Sequence, residues 1–363
     1  MLHKLPRVMR LGRMASKESG RSIWELLWEV IYLRFSARKL GFEEYFELAL
    51  FRVEFEPDQR IDDLFGWRAS AWLDERANAT HWRACANDKL LMSKLLSRSA
   101  DLPLPEIVAC YSPTGRTLDG APHFSDPSAF EVFLKRSEAF PLIVKPIAGT
   151  YGRGVIEISG YDEQGNLQGK SGDVLADDEL SSLLENPNFG GALVQKKLEN
   201  HPALRELVGD TLSTVRMIVC IAEDKTPHLA AVFWKVARGC NVTDNFARGV
   251  TGNMLAGIDL TSGAMLGLYS GLWPAGGMLT HHPETERPVA GFVLPDWELA
   301  KHTVLKAACE LPGLRLQGWD VAFTPQGPVL LEVNSESNVV LSQYVSRRAF
   351  LSNEVREVFS DAF

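Results

Sequence analysis

Three polar side chains near the end of the sequence are spaced so that they can meet. Residues 318–323 read Gly-Trp-Asp-Val-Ala-Phe, residues 329–334 read Val-Leu-Leu-Glu-Val-Asn, and Thr-Pro-Gln-Gly-Pro lies between them. Two apolar runs around a Pro/Gly turn predict a β-hairpin. With residues 324–328 as the loop, Phe323 faces Val329, and the same register sets Asp320 opposite Glu332. Directly opposed residues stand about 4.5–5.5 Å apart at Cβ. Asn334, two residues further on, shares their face, while Val321, Phe323, Leu331 and Val333 fill the strands between. Adjacent like charges disfavour joint ionisation. A hard divalent cation with oxygen ligands, such as Mg²⁺ holding substrate phosphates, would compensate them. The other reading is a solvated acidic rung.

A second group lies over residues 141–155, Pro-Leu-Ile-Val-Lys-Pro-Ile-Ala-Gly-Thr-Tyr-Gly-Arg-Gly-Val. A strand ends at Lys145, a glycine-rich loop follows, and a second strand begins at Gly154. Glycines let backbone N–H groups approach a phosphate closely, and Lys145 adds a point charge. The loop lies between two strands with no helix after it, so it is neither a Walker loop nor a Rossmann turn. An ordinary hairpin turn is the alternative. Third, Arg216 alternates with Val215, Met217 and Val219, so it shares a face with Thr214 and Ile218. A guanidinium inside an apolar run needs a phosphate or a carboxylate, in a ligand or in a structural ion pair. Lys235 follows a similar pattern with Leu229, Ala231 and Phe233.

These groups need a large scaffold. The chain has 363 residues, which at ~150 residues per domain suggests two to three domains. Its composition is 45% hydrophobic and 23% charged, that of an ordinary globular protein. With 38 basic and 46 acidic residues the net charge is −8, which disfavours binding along a nucleic-acid backbone but allows a local anion pocket. Five cysteines (Cys85, Cys110, Cys220, Cys240 and Cys309) form no Cys-x-x-Cys and predict reduced thiols in a cytoplasm. The N-terminus carries Lys4, Arg7, Arg10, Arg13, Lys17 and Arg21 against Glu18. The apolar run 23–35 is interrupted by Glu25, Glu29 and Arg34 and is too short and charged to span a bilayer. It reads as a solvated basic tail before an amphipathic helix, or as reversible contact with an anionic membrane surface.

Helical spacing covers residues 22–52, through Trp24, Leu27, Ile31 and Phe35 and then Tyr45, Phe46, Leu48, Ala49 and Leu50. Residues 74–99 are expected to be helical again, with Asn87 or Asp88 as a cap and Leu91, Met92, Leu95 and Leu96 on the apolar side. From residue 104 short β-rich runs alternate with helices. Strands are expected at 107–111, 142–146, 154–159, 192–198, 212–221 and 228–236. Helices are expected from Pro127, from an Asp177 cap to Leu184, over 297–311 under an Asp296 cap, and over 342–361. The resulting division is a helical extension over 1–80, an α/β part over 81–140, a small part with the glycine-rich flap over 141–200, and a large part with the hairpin over 201–363.

The order Lys89, Lys145, Gly149-Thr150-Tyr151-Gly152-Arg153-Gly154, Gln195-Lys196-Lys197-Leu198-Glu199, Arg216, Asp320, Glu332-Val333-Asn334 resembles the ATP-grasp superfamily. More narrowly, the chain is similar to the sugar-transfer-associated group, related to the α-L-glutamate ligase-like proteins. The motifs behind this are Val-Gln-Lys-Lys-Leu-Glu-Asn-His at 194–201, Val-Thr-Asp-Asn-Phe at 242–246, His-His-Pro-Glu-Thr at 281–285 and Val-Leu-Pro-Asp-Trp at 293–297. The similarity runs over residues 40–345.

The resemblance implies an α+β ATP-grasp fold, two α+β subdomains clamping ATP, with a helical N-terminal extension. It implies an ATP-dependent carboxylate–amine ligase acting on small molecules; a phosphotransferase and a non-catalytic nucleotide-binding module in polysaccharide assembly are the alternatives. By position, Lys89 and Lys145 would contact the phosphates and the adenine side, and Gly149, Thr150, Tyr151, Gly152, Arg153 and Gly154 would form a flap over the triphosphate. Gln195, Lys196 and Leu198 would line the adenine hinge and Glu199 would hold the ribose. Arg216, with Lys235, would stabilise the transferring phosphoryl group, and Asn245 would lie near the γ-phosphate. Asp320, Glu332 and Asn334 would hold one or two Mg²⁺, and His282 and Arg248 would line the acceptor site. Two departures stand where the acceptor would sit: Trp234-Lys235 where relatives often carry arginine, and Phe-Ala-Arg-Gly-Val-Thr-Gly after Asn245 in place of an adjacent glycine pair.

Overall fold

The structure, a computed structural model, describes residues 5–359 apart from 37–39, 56, 58, 100, 151 and 240. Lys4, Tyr151 and Cys240 therefore lie outside the described residues. Two sheets dominate. The smaller contains β1 (Ile107–Tyr111), β2 (His123–Phe124), β3 (Leu142–Pro146), β4 (Ile156–Tyr161), β5 (Leu167–Gly169) and β6 (Ala192–Lys196), in the order β2-β1-β6-β3-β4-β5. The larger contains β7 (Thr214–Ile221), β8 (Pro227–Val236), β9 (Met254–Ile258), β10 (Met265–Tyr269), β11 (Met278–Leu279), β12 (Leu316–Thr324) and β13 (Gly327–Asn334), in the order β11-β10-β9-β8-β7-β12-β13. Every neighbouring pair in the larger sheet is antiparallel.

Before the sheets come α1 (Leu5–Ser19), α2 (Ile23–Phe35), α3 (Phe42–Glu47), α4 (Trp67–Ala77), α5 (Arg83–Asn87) and α6 (Lys89–Leu96). Among and after the strands lie α7 (Pro127–Lys135), α8 (Asp177–Glu185), α9 (Pro202–Val208), α10 (Trp297–Cys309), α11 (Val339–Ser346) and α12 (Asn353–Val358). Local chemistry explains several starts. The Asp126 carboxylate accepts from Ala129 N at 2.8 Å, and Pro127 takes the first helical position, where its missing N–H costs nothing. Asp88 accepts from Leu91 N at 2.8 Å, which makes Lys89 the first residue of α6.

Four expectations about helices need correction. Residues 74–99 are not one helix. Asn78 leaves helical geometry because its side chain bonds β12, accepting from Leu316 N at 3.0 Å and donating to Leu316 O at 2.8 Å. The closing helix starts earlier, at Val339, and breaks at Arg347, whose φ is 57°. Asp296 precedes α10 but makes no side-chain cap bond, and Ala176, not Asp177, holds the cap position of α8.

Alternation along β7 distributes its side chains between two cores. Ile218 and Cys220 join Phe233 and Leu255 under α1–α3 and α11. Val215, Met217 and Val219 join Trp234, Trp319 and the α10 residues Ala300, Val304 and Ala307 on the other face. The small sheet packs Val144, Ile158 and Val194 against Phe130 and Leu134 of α7 and Leu183 of α8.

The hairpin differs from expectation in an instructive way. Its turn is tighter, with Thr324 paired to Gly327 and Phe323 to Pro328, so the expected Phe323–Val329 pairing is off by one residue. A bulge then shifts the register between Asp320 and Val321, leaving Leu331 as the extra residue, and Asp320 faces Glu332 after all. The bulge also turns Leu331 away from the core to which alternation assigned it, beside Glu332 on the cleft side.

Candidate functional site

A cleft of about 980 Å³ opens between the two sheets. Its large-sheet side is built by β7, β8, β12 and β13. Ladder register sets Arg216 opposite Asp320, Thr214 opposite Lys235, and Asp320 opposite Glu332. Arg216 donates from Nε to Asp320 Oδ1 at 2.6 Å and from Nη2 to Oδ2 at 3.0 Å, a two-pronged pair. Its Nη1 donates to Glu336 O at 3.2 Å. Lys235 Nζ lies 3.1 Å from both Asp320 Oδ2 and Asp244 Oδ1. Asp244 is fixed in turn by the Thr214 backbone N–H at 2.8 Å and by the Thr214 hydroxyl. Gly318 gives this network room: a Cβ there would stand 3.1 Å from Arg216 Nη1.

Arg216 and Asp320 are 5% and 2% exposed. Burial opposes ionisation of Asp320, but Arg216 and then Lys235 outweigh it and hold the carboxyl well below the usual range. Burial likewise opposes charge on Lys235, and Asp244 and Asp320 outweigh it, raising its pKa. The cluster is therefore ionised and stiff, a preorganised set of charges in a poorly solvated place.

The opposite side of the cleft carries Lys145 and Lys89. Lys145, next to last in β3, has its side chain buried; among the described residues no hydrogen bond or ion pair reaches its Nζ. Burial, and then the charge of Lys89, push its pKa down to about 8, with Glu332 pulling the other way. Lys89 Nζ donates to Gly149 O at 3.0 Å and stands 3.6 Å from Glu332 Oε2, so it links the glycine loop to the hairpin. Lys170, Lys196, Lys197, Arg153 and Arg248 also line the cleft. An acidic protein thus concentrates basic groups around one cavity, as a polyanion site requires.

A family profile described as sugar-transfer associated ATP-grasp matches residues 68–358. The chain belongs to that family. No curated protein matches it. Among solved structures, it is similar to an N5-carboxyaminoimidazole ribonucleotide synthetase from Thermotoga maritima, at 11% identity and TM-score 0.36, over 74% of this chain and 50% of that one. It is also similar to the biotin carboxylase domain of a 2-oxoglutarate carboxylase from Hydrogenobacter thermophilus, at 14% identity and TM-score 0.40, over 79% of this chain and 52% of that one. A third is the D-Ala:D-Ser ligase of Enterococcus faecalis, at 12% identity and TM-score 0.39, over 74% and 62%. The chain spans about half to three-fifths of the length of these structures.

In this ATP-grasp chain the cleft gathers most of the residues singled out above. Gly149, Thr150, Gly152, Arg153, Gln195, Lys196, Leu198, Asn245 and Arg248 all line it, with the two lysines and the charged cluster. Gly152 has φ 69°, and a Cβ there would meet Thr243 Oγ1 at 2.8 Å, so the loop needs glycine where it meets Thr243. Gly154 packs against Phe189 and Pro146, outside the lining. Gln195 is buried, whereas Lys196 is exposed and pairs with Glu106 at 2.7 Å. Glu199 is exposed and outside the lining.

His282 is not brought to the cleft. It is fully buried, its Nδ1 accepts from Glu284 N at 3.4 Å and Thr285 N at 3.3 Å, and burial lowers its pKa. It organises its own loop. Arg248 does reach the cleft, with its guanidinium 5.2 Å over the Trp67 ring.

Several lining residues had no place in the sequence reading. Asp244 is one, although it stood within the Val-Thr-Asp-Asn-Phe motif. Asp74 of α4 is another. It accepts from Ser337 Oγ at 2.7 Å and Ser337 N at 3.2 Å, and burial raises its pKa to about 7. Glu157 and Lys197 pair at 2.6 Å on the small-sheet side. Only contacts between distant segments single these out.

The donors on the hairpin suit a hard cation in type. Asn334 Nδ2 lies 3.4 Å from Asp320 Oδ2 and from Glu332 Oε1, so two carboxylates and an amide share one face. Among the described residues no group of three or more His, Cys, Asp or Glu side chains is gathered for a metal. Two carboxylates with an amide match Mg²⁺, which takes few protein ligands and leaves other positions to phosphate and water. Asp320 is engaged by two cations, which makes Glu332 and Asn334 the more open donors.

Proposed function

We propose that the protein is an ATP- and Mg²⁺-dependent carboxylate–amine ligase that forms an amide through an acyl phosphate. The reading is carried by the meeting, in one cleft of an ATP-grasp chain, of Lys89 and Lys145 with Arg216, Lys235 and the Asp320–Glu332–Asn334 face. The two sheets act as the halves of a clamp, with the glycine loop as a flap over the triphosphate and the 195–198 segment beside the adenine. A substrate carboxylate oxygen attacks the γ-phosphorus, the bond to the β-phosphate oxygen breaks, and ADP leaves. An amine then attacks the acyl carbon, phosphate departs, and the amine loses a proton.

Little covalent chemistry falls to the protein, so positioning and charge carry the rate. Lys145, poorly solvated and without an ion-pair partner, has a pKa that a bound phosphate would raise again. Arg216 is held rigid by Asp320 and Glu336 and offers charge without reorganising. Glu332 and Asn334, with Asp320, would hold one or two Mg²⁺, which when bound offset phosphate charge. The acceptor would lie toward α4, near Trp67, Asp74, Asn245 and Arg248. Free thiols at Cys85, Cys110 and Cys309 are in keeping with a reducing, cytoplasmic setting, which is part of this proposal. No described helix is long and apolar enough to cross a membrane. A role in making cell-surface polysaccharides or peptide-like metabolites is part of this proposal; the family description itself speaks only of an association with sugar transfer.

The test is a screen of carboxylate and amine pools for ADP and phosphate release, comparing the wild type with Glu332→Ala. Release that needs both substrates and is lost in the variant supports a ligase. ADP formed with a hydroxyl acceptor and no free phosphate makes the protein a phosphotransferase.

A further inference from the structure

Helix α2 is apolar on two sides, and only one is covered. Leu26, Val30 and Leu33 are buried in the core shared with α1 and α3. Trp24, Trp28, Ile31, Tyr32 and Phe35, spaced i, i+4, i+7, i+8 and i+11, form a stripe on the opposite side. They are 74%, 61%, 53%, 37% and 75% exposed, and Trp28 stacks on Tyr32 at 5.2 Å. A surface helix normally carries one apolar stripe, turned inward. A second stripe of large side chains marks a surface that meets something.

Helix α1 lies alongside: a Cβ on Gly12 would meet Ile23 and Leu27 at 3.5 and 3.6 Å. It buries Val8, Leu11 and Ala15 in the same core as α2. Arg10, Arg13 and Lys17, spaced i, i+3 and i+7 on its far side, therefore face outward beside the aromatic stripe. All three are exposed, and among the described residues none has an ion-pair partner. The acids bordering the stripe are engaged. Glu25 and Glu29 both hold Arg21, and Asp62 accepts from the Tyr32 hydroxyl at 2.7 Å.

We propose that this face docks on an anionic lipid bilayer, with α1 and α2 lying in the plane of the interface. The stripe is rich in Trp, Tyr and Phe, rings that settle at headgroup level. The row of unpaired cations beside it complements acidic headgroups. A second copy of the chain is a poorer occupant, because the acids bordering its stripe are already engaged and leave the cationic row without a complement. The proposal does not depend on the ligase reading.

The test is co-sedimentation of the full chain with vesicles of phosphatidylcholine alone and of equal parts phosphatidylcholine and phosphatidylglycerol. The wild type should pellet with the anionic vesicles, remain in solution with the neutral ones, and be released by salt. Replacing Arg10, Arg13 and Lys17 together by Gln should weaken partition about a hundredfold, at roughly fivefold per charge. Replacing Trp24, Trp28 and Phe35 together by Ser should abolish pelleting. The thermal melt of each variant should match the wild type, since the changed residues are exposed. Failure of the wild type to pellet, or variants that bind as it does, would overturn the proposal. So would a wild-type dimer that the Trp24, Trp28 and Phe35 variant turns into a monomer, since the stripe would then be a self-association face.

Discussion

Asp320 meets two cations with one carboxylate, and removing that charge leaves Arg216 and Lys235 buried with only the Asp244 contact to Lys235, at 3.1 Å, among the ion pairs described. Asp320→Asn should therefore cost about 3–5 kcal/mol of stability, read from urea unfolding. Asp74 behaves in the opposite sense. Its folded pKa of about 7 lies above the ordinary 3.8, so the native state resists losing a proton that the unfolded chain gives up readily, and stability falls as pH rises from about 4 to 7. Asn at position 74 keeps an acceptor for both Ser337 bonds without the charge. The melting temperature of Asp74→Asn should match the wild type at pH 4 and exceed it at pH 8. Lys145 sets a pH dependence for binding. Its pKa of about 8 is below the ordinary 10.5, and bound phosphate favours the charged form. Nucleotide affinity should be full below pH 8 and fall by about tenfold per unit above it, up to the pKa of the complex. Fluorescence titration across that range should show the slope, and Lys145→Met should remove it.

At the scale of elements, the β12–β13 bulge decides which side chains reach the cleft. Without it, strict alternation would give Leu331 to the core; with it, Leu330 faces the core and Leu331 stands beside Glu332. Alanine at each position separates the two arrangements. Leu330→Ala should cost about 2–5 kcal/mol, as for a fully buried leucine, and Leu331→Ala less than about 1.5 kcal/mol. Equal losses in equilibrium unfolding would contradict the bulge. The expected Asp320–Glu332 pairing was legible because the hairpin is local. It held through two offsetting features, a tighter turn and one extra residue, neither of which periodicity reveals.

At the scale of the whole molecule, the helices before the matched stretch share its core. Phe46 and Phe51 pack on Trp273 at 6.4 and 5.2 Å, the Trp273 indole donates to Glu18 at 2.9 Å, and Gln343 bonds both the N–H and the carbonyl of Phe65. Helix α4 then supplies a wall of the cleft through Trp67, Ser70 and Asp74. A chain beginning at Trp67 should lose solubility and its cooperative thermal transition, because it bares the face of the large sheet carrying Ile218, Phe233 and Leu255. Retention of a sharp melt in the shortened chain would show the extension to be an appendage.

The sequence by itself determined what depends on near neighbours. The strands at 107–111 and 142–146, the helix start at Pro127 and a cap at Asn87 or Asp88, the alternation that turns Arg216 away from Val215 and Met217, and the shared face of Asp320, Glu332 and Asn334 all follow from periods and turns within a few residues. Tertiary structure decided what depends on segments far apart in the chain. It joined Arg216 and Lys235 to one carboxylate, turned Asn78 out of a helix to hold β12, enclosed His282 away from the cleft, and left one apolar side of α2 uncovered. The physical reason is that a side chain's local direction is set by its own backbone. Its partner, its solvation and its charge are set by whatever the fold packs against it.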